Sequence, residues 1–264
     1  MTFGPTFPWL RREVIGDCML YLGDCLEVAL ALPDVDHFIS DPPYEDHMHD
    51  SKRGRKTKIR KDGSADPKPL DFSSIGEMRQ PVADHAQRLS NGWALAFCTP
   101  EGVAPWRDAF ELSGSKYKRA CLWVKPDSAP QFNGQGPAMG AEMFTASWCG
   151  KGHASWNAGG RRNVWTYACN PPTRTKLHPT EKPIELMCDL VQCFTNPGET
   201  ILDMFMGSGT TLVACALRGR KAIGIEQKPE YFEAACQRVR DAYRSPDLFI
   251  EPPKLKIEQA ELAV

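Results

Sequence analysis

Residues 200–211 read Thr-Ile-Leu-Asp-Met-Phe-Met-Gly-Ser-Gly-Thr-Thr, and residues 221–226 read Lys-Ala-Ile-Gly-Ile-Glu. The apolar run from Thr200 to Met204 predicts a buried strand, and Phe205-Met206-Gly207-Ser208-Gly209 predicts a turn into a helix from Thr210 to about Leu217. Arg218-Gly219-Arg220 turns the chain into a second strand, Lys221–Ile225, with Glu226 at its end. Pro229 then opens a helix that reaches about Tyr243. Strands alternating with helices predict an α/β fold with a mainly parallel sheet. In such sheets ligands sit beyond the carboxyl ends of the strands. A Gly-x-Gly turn lets backbone approach a ligand with no Cβ in the way. Glu226 follows Gly207 by 19 positions and can accept hydrogen bonds from a ribose. A dinucleotide site wants a third glycine three positions after Gly209, but position 212 is Leu. The pattern therefore points to an adenosyl ligand without a pyrophosphate, S-adenosylmethionine ahead of NAD. A plain tight turn is the alternative.

Working outward, Met19–Leu22 is a short apolar run ending at Gly23-Asp24, and a helical stretch, Leu26–Leu32, stops at Pro33. Val35–Ile39 reads as a buried strand that delivers Ser40-Asp41-Pro42-Pro43-Tyr44. Two prolines fix φ and remove two N–H groups, so the Asp41 carboxylate and the Pro42 carbonyl can project as acceptors. Tyr44 offers a flat ring for stacking. Two acceptors and an aromatic plate suit an exocyclic amino group on a flat heterocycle. Accepting both of its hydrogens frees a delocalised lone pair for in-line attack on a sulfonium methyl, so catalysis is positioning and electrostatics. Methylation at a ring carbon of cytosine would need a cysteine nucleophile, which the family that performs it places after proline, and the chain contains no Pro-Cys pair. Taken alone, the tetrapeptide reads first as an Asx-type turn with two prolines.

Between these segments, Pro81–Leu89 reads as a helix, Trp93–Cys98 and Ala120–Val124 as strands, and Lys182–Phe194 as a helix. Residues 127–178 are rich in Gly, Asn and Trp, with one strand near Met143–Trp148. Residues 45–80 show little periodicity and hold a concentrated charge: Lys52, Arg53, Arg55, Lys56, Lys58, Arg60 and Lys61 make seven of ten positions basic. Such a block repels itself, predicting a mobile insertion, and opposite a polyphosphate it would gain affinity by counterion release. The alternative is a solvated insertion. The whole chain has 264 residues and a formal net charge of -1, enough for a substantial core and ordinary for a globular protein. No apolar window is long enough to span a membrane, and the N-terminus lacks the pattern of a secretory signal, so a cytoplasmic protein is expected. Ten cysteines occur without a two-residue gap, several inside apolar runs, which predicts free core thiols rather than a zinc site. His47-Met48-His49 has no carboxylate or thiolate set around it, and no metal is expected.

Together these residues resemble the amino-methyltransferases of DNA, in the permuted β class where the Asp-Pro-Pro-Tyr segment precedes the Phe-x-Gly-x-Gly segment. The resemblance runs from about Val14 to Tyr243. Gly23-Asp24-Cys25-Leu26 is similar to the segment whose Asp contacts the cofactor adenine. His178-Pro179-Thr180-Glu181-Lys182-Pro183 is similar to the family's His-Pro-Thr-Gln-Lys-Pro, with Glu replacing Gln. Leu202–Thr211 matches the cofactor motif, with Met204 where Pro is usual.

The resemblance implies a single permuted S-adenosylmethionine-dependent methyltransferase domain over residues 1–264. Its Rossmann-like sheet would have seven strands, one of them antiparallel, with helices on both faces. It implies that Asp41, Pro42, Pro43 and Tyr44 form the target-amine site. Asp203, Phe205, Gly207, Ser208, Gly209, Thr210, Thr180 and Lys182 would hold the methionine and ribose region of the cofactor, Glu226 the ribose hydroxyls, and Asp24 with Cys25 the adenine end. A duplex base must leave its stack to enter such a pocket. Asp in the first position of the tetrapeptide goes with adenine N6 in this family, and Ser with cytosine N4. Between Tyr167 and His178 there is no room for the usual target-recognition segment. Sequence reading is therefore expected from residues 45–80, 99–118 or 126–177, giving a short or relaxed recognition site with the basic loop on phosphates. Related enzymes often pair, so a homodimer is expected. Cytosine-N4 methylation, an RNA or protein amine as acceptor, and a catalytically silent DNA-binding subunit are the alternatives.

Overall fold

The computed structural model describes residues 7–44, 75–130, 136–170 and 181–244. Among these residues one sheet of nine strands carries the fold, in spatial order β1-β2-β9-β8-β3-β4-β6-β5-β7. In chain order these are β1 (Arg11–Ile15), β2 (Cys18–Leu22), β3 (His37–Ser40), β4 (Trp93–Cys98), β5 (Lys116–Val124), β6 (Ala141–Trp148), β7 (Val164–Thr166), β8 (Thr200–Asp203) and β9 (Lys221–Glu226). The expected α/β class holds, but the expected seven strands with one antiparallel become nine with two. β1 runs against β2, and β6 runs against both β4 and β5; every other pairing is parallel. The two extra strands are the sheet's edges. β1 forms a hairpin with β2 through Gly16 at φ 56°, and β7 adds three residues beside β5.

Among the described residues six helices cover the two faces: α1 (Cys25–Leu30), α2 (Arg79–Leu89), α3 (Val103–Leu112), α4 (Ile184–Phe194), α5 (Thr210–Leu217) and α6 (Pro229–Arg244). One core cluster joins α1, α2 and α3 to the sheet through Val28, Val82, Trp106 and Phe110. The other joins α4, α5 and α6 through Leu190, Leu212, Phe232 and Val239. The helices follow their sequence pattern. In α6 the buried residues Phe232, Ala235, Cys236 and Val239 recur at helical spacing. In α4, Glu185, Asp189 and Gln192 stay on the face opposite seven buried side chains. β3 and β4 are buried throughout, as strands covered on both faces must be. All ten cysteines are free and eight are buried.

Only part of the expected 45–80 insertion is described, and that part belongs to the fold. Ile75 is fully buried, a 3₁₀ turn spans Gly76–Met78, and α2 starts at Arg79. The basic block and His47-Met48-His49 lie outside the described residues. In the 126–177 region, β6 is an interior strand. Among the described residues no helix is long and apolar enough to cross a membrane.

The connectivity places a crevice. From β3 the chain moves outward to β4, whereas from β8 it moves the other way to β9, although β3 and β8 are neighbours. Such a switch point opens a cleft at the carboxyl ends of the strands. Ser40 closes β3 there, and Asp203 closes β8.

Candidate active site

The glycine turn lies on one side of this crevice. Gly209 sits at φ 82°, in left-handed backbone, and caps α5. A Cβ there would stand 2.9 Å from Ala235 Cβ and 3.1 Å from its Cα, so glycine is needed both for the turn and for α6 to pack. Asp203 is buried, and its Oδ1 accepts from Ser40 Oγ at 2.6 Å and from the Phe205 N–H at 3.1 Å. Burial pushes its carboxyl up to about 6, against the pull of Ser40, Thr211 and Phe205. Glu226, at the end of β9, accepts from the Lys228 N–H at 2.8 Å. Burial raises its carboxyl too, opposed by backbone N–H groups of Lys228, Gly207 and Gln227.

The expected cofactor residues divide on inspection. Asp203, Phe205, Gly207 and Glu226 gather at the strand ends. Ser208 and Thr210 have their hydroxyls tied instead to Arg238 of α6, at 2.8 and 3.2 Å. Arg238 also pairs with buried Glu181 at 2.7 Å, joining the glycine turn to the Glu181-Lys182-Pro183 segment. Asp24 serves as the N-cap of α1, accepting from the N–H groups of Leu26 at 2.9 Å and Glu27 at 3.2 Å. The Cys25 thiol is buried, and burial pushes it up to about 12; it is a core group. Thr180 lies outside the described residues.

On the other side stand Asp41 and Tyr44, and here the structure adds what the motif alone does not contain. Lys182 is buried and hydrogen-bonds both Asp41 Oδ2 and the Tyr44 hydroxyl, the latter at 3.0 Å. The resemblance implies that it holds the cofactor; its ammonium stands on the Asp41–Tyr44 side of the crevice. It lies 5.3 Å from the centre of the Tyr44 ring and 5.0 Å from that of Phe97. The Tyr44 hydroxyl donates to Glu142 Oε2 at 2.7 Å, and Lys125 pairs with Glu142 Oε1. Glu142 Oε2 is also 3.4 Å from Lys182 Nζ. Asp41 Oδ1 is buried without a hydrogen-bond partner among the described residues.

The charges in this cluster act on one another. Burial pushes the Asp41 carboxyl up, and Lys182 offsets only part of that. Burial works against the charge of Glu142, but Lys182 and Lys125 outweigh it and hold the carboxyl down at about 2. Burial would lower the Lys182 ammonium, yet Asp41 and Glu142 together raise it. Burial also lifts the Tyr44 phenol well above its usual range, keeping it a hydrogen-bond donor.

Sequence reading missed Glu142 and Lys125. The only signals were an acid at the head of an otherwise apolar strand and a lysine just past another strand's end. The register explains their meeting. Cys98 at the end of β4 pairs with Met143, so Glu142 falls one step beyond, at the crevice. On β5, Val124 pairs with Ala141, which brings Lys125 to the same edge.

Known proteins resemble this chain in sequence or in fold. M.Cfr9I, a type II methyltransferase of Citrobacter freundii, is 33% identical over 162 residues, covering 54% of this chain and 53% of that protein. The chain thus spans about half the length of that relative. The solved complex of M1.HpyAVI with SAM superposes with a TM-score of 0.65 at 26% identity, covering 84% of this chain and 98% of that one. The cytosine-N4-specific PvuII DNA methyltransferase superposes at 0.64 with 17% identity over 89% of this chain and 95% of that one, a likeness of fold. The model of the DNA methylase family with N6 and N4 members matches residues 35–237, from the strand before Asp41 to the helix behind the glycine turn. The chain belongs to that family of DNA methylases.

Proposed function

We propose that the protein transfers a methyl group from S-adenosylmethionine to the N6 amino group of adenine in DNA, acting on a base turned out of the duplex. One observation carries this reading. Asp41 and Tyr44 stand at the end of β3, beside the glycine turn that follows β8, and Ser40 and Asp203 are in direct hydrogen bond across the two strands. An amine acceptor site and a cofactor site on neighbouring strand ends are what in-line transfer needs.

The residues present fit the cofactor. Asp203 is a buried carboxyl with no ion-pair partner among the described residues, suited to the charged methionine end. Glu226 at the end of β9 suits a ribose diol. S-adenosylmethionine supplies an electrophilic methyl group when bound. The rest is the work of the chain. Asp41 Oδ1, buried and without a partner among the described residues, accepts one amino N–H, and the Pro42 carbonyl accepts the other. The Tyr44 ring stacks on the base, and its hydroxyl is fixed by Glu142 and Lys182. Burial that raises Asp41 also makes it a stronger acceptor for a nitrogen gaining positive charge. Asp, not Ser, before the two prolines supports adenine over cytosine. In this reading Lys52, Arg53, Arg55, Lys56, Lys58, Arg60 and Lys61 grip phosphates, and residues 126–177 contribute sequence preference. The acting unit is a homodimer, which light scattering would measure.

The test is incubation with S-adenosylmethionine and unmethylated phage DNA, followed by hydrolysis and mass spectrometry of the nucleosides. N6-methyladenine is the expected product. N4-methylcytosine would overturn the base assignment, and cofactor binding with no methylated base would identify a silent DNA-binding subunit. Neutralising the seven charges of residues 52–61 should lower DNA affinity and flatten its salt dependence.

A further inference from the structure

Glu142 divides its carboxylate between three partners. Oε1 pairs with Lys125, while Oε2 accepts from the Tyr44 hydroxyl at 2.7 Å and lies 3.4 Å from Lys182 Nζ. Lys182 in turn bonds Asp41 Oδ2. One ammonium therefore stands between two carboxylates, and the reading above assigns one of them to the target amine. A carboxylate that shares an ammonium is a weaker acceptor. A cation on that carboxylate also opposes the positive charge that grows on the attacking nitrogen. Both difficulties disappear if the ammonium leaves Asp41 for a second carboxylate within reach. Glu142 is that carboxylate, already close to Lys182 and already bound to Tyr44.

We propose that Glu142 is a positioning residue of the amine site: it fixes the Tyr44 ring through the hydroxyl and takes Lys182 from Asp41 when the target amine enters. This rests on the methyltransferase reading and adds to it a resting contact that the substrate must displace. Glu142 need not touch the base. Its negative charge sets where the ammonium stands, and Lys125 balances that charge from the other oxygen.

Glu142→Gln keeps the shape and an acceptor oxygen but removes the charge, leaving Lys182 held on Asp41. Transfer of tritiated methyl to unmethylated phage DNA should lose about tenfold or more in kcat, while the Kd for S-adenosylmethionine stays within about threefold. Adding Lys182→Met to Glu142→Gln should restore part of the loss, because the competitor for Asp41 is gone. A merely structural role for Glu142 would make the double variant no better than the single one. Glu142→Gln within about twofold of the parent, or a double variant no faster than Glu142→Gln, would overturn the proposal. Should Glu142→Gln fail to fold, Lys182→Met alone carries the test: it should lower the KM for DNA, and a raised KM overturns the idea. A parent protein that methylates no DNA would instead bring down the underlying reading, and this proposal with it.

Discussion

The glycine turn takes its groups from one stretch, Asp203 to Thr210, with Glu226 from the next strand. The opposite side, the proposed amine site, gathers Asp41 with Tyr44, Lys125, Glu142 and Lys182 from four separate stretches. On the first side, backbone shape does the work, through positive φ at Gly209 and N–H groups around Glu226. On the second side, buried charges do it, and each is tolerable only because of the others. The lesson is that a site made of local backbone geometry travels as a motif, whereas a site made of converging charges depends on sheet register.

That contrast can be attacked from either side. Asp41→Ala should strike hardest, lowering methyl transfer by about 10³-fold while cofactor affinity changes little, since it removes the proposed amine acceptor and leaves the turn intact. A matching loss of cofactor binding, read by calorimetry, would mean that the two sides are one unit. Asp203→Asn tests the buried acid. Its carboxyl is raised in the fold to about 6, so its stabilising contribution is complete below the unfolded value near 4 and is lost as pH rises through 6. Relative to the parent, Asp203→Asn in the absence of cofactor should therefore gain up to about 3 kcal/mol between pH 4 and pH 8, measured by urea unfolding. A difference independent of pH would show that Asp203 is compensated in a way the two-sided contrast omits.

Gly209→Ala should cost about 2 kcal/mol, from left-handed backbone and from contact with Ala235, and should weaken cofactor binding. An undamaged turn would remove backbone shape as the distinguishing feature of that side. The smallest effect belongs to Asp24→Ala, which loses the cap of α1 and about 1 kcal/mol in thermal or urea unfolding. Asp24→Ser keeps a capping oxygen. If Asp24 also faces the adenine, Asp24→Ser should recover stability but not cofactor affinity.

Legibility in the sequence followed the same division. Trp93–Cys98 and Thr210–Leu217 fall where their patterns predict, because continuous apolar runs bounded by glycine turns have few other solutions. β1 escaped because Arg11-Arg12-Glu13 on an exposed edge lacks an apolar alternation. α3 escaped too, although Trp106, Ala109 and Phe110 carry the helical spacing, since Pro105 obscures its first turn. β5 begins at Lys116 rather than Ala120 because its first residues are largely exposed polar side chains with no hydrophobic signal. At the site, Asp41 and Tyr44 announce themselves through the prolines between them, and the glycine turn through its spacing. Glu142 has no such company, and Lys182 could be placed near the crevice but not assigned to Asp41. Which of two nearby partners a flexible ammonium chooses is settled by charge balance in three dimensions.

The reversed direction of β6 has a consequence for how the proposed activity could be retargeted. Because this strand runs opposite to its neighbours, β5 ends and β6 begins on the same rim as Asp41 and Asp203, and the ladder between β5 and β6 pins both ends of the connection there. Apart from Lys125, which pairs with Glu142, and Asp127, which accepts from the backbone N–H groups of Cys169 and Asn170, its residues can be exchanged without removing a contact described above. The molecule offers a graft point beside the proposed site, where new contacts to nucleic acid could be installed while Asp41, Glu142 and Lys182 stay anchored in the fold below.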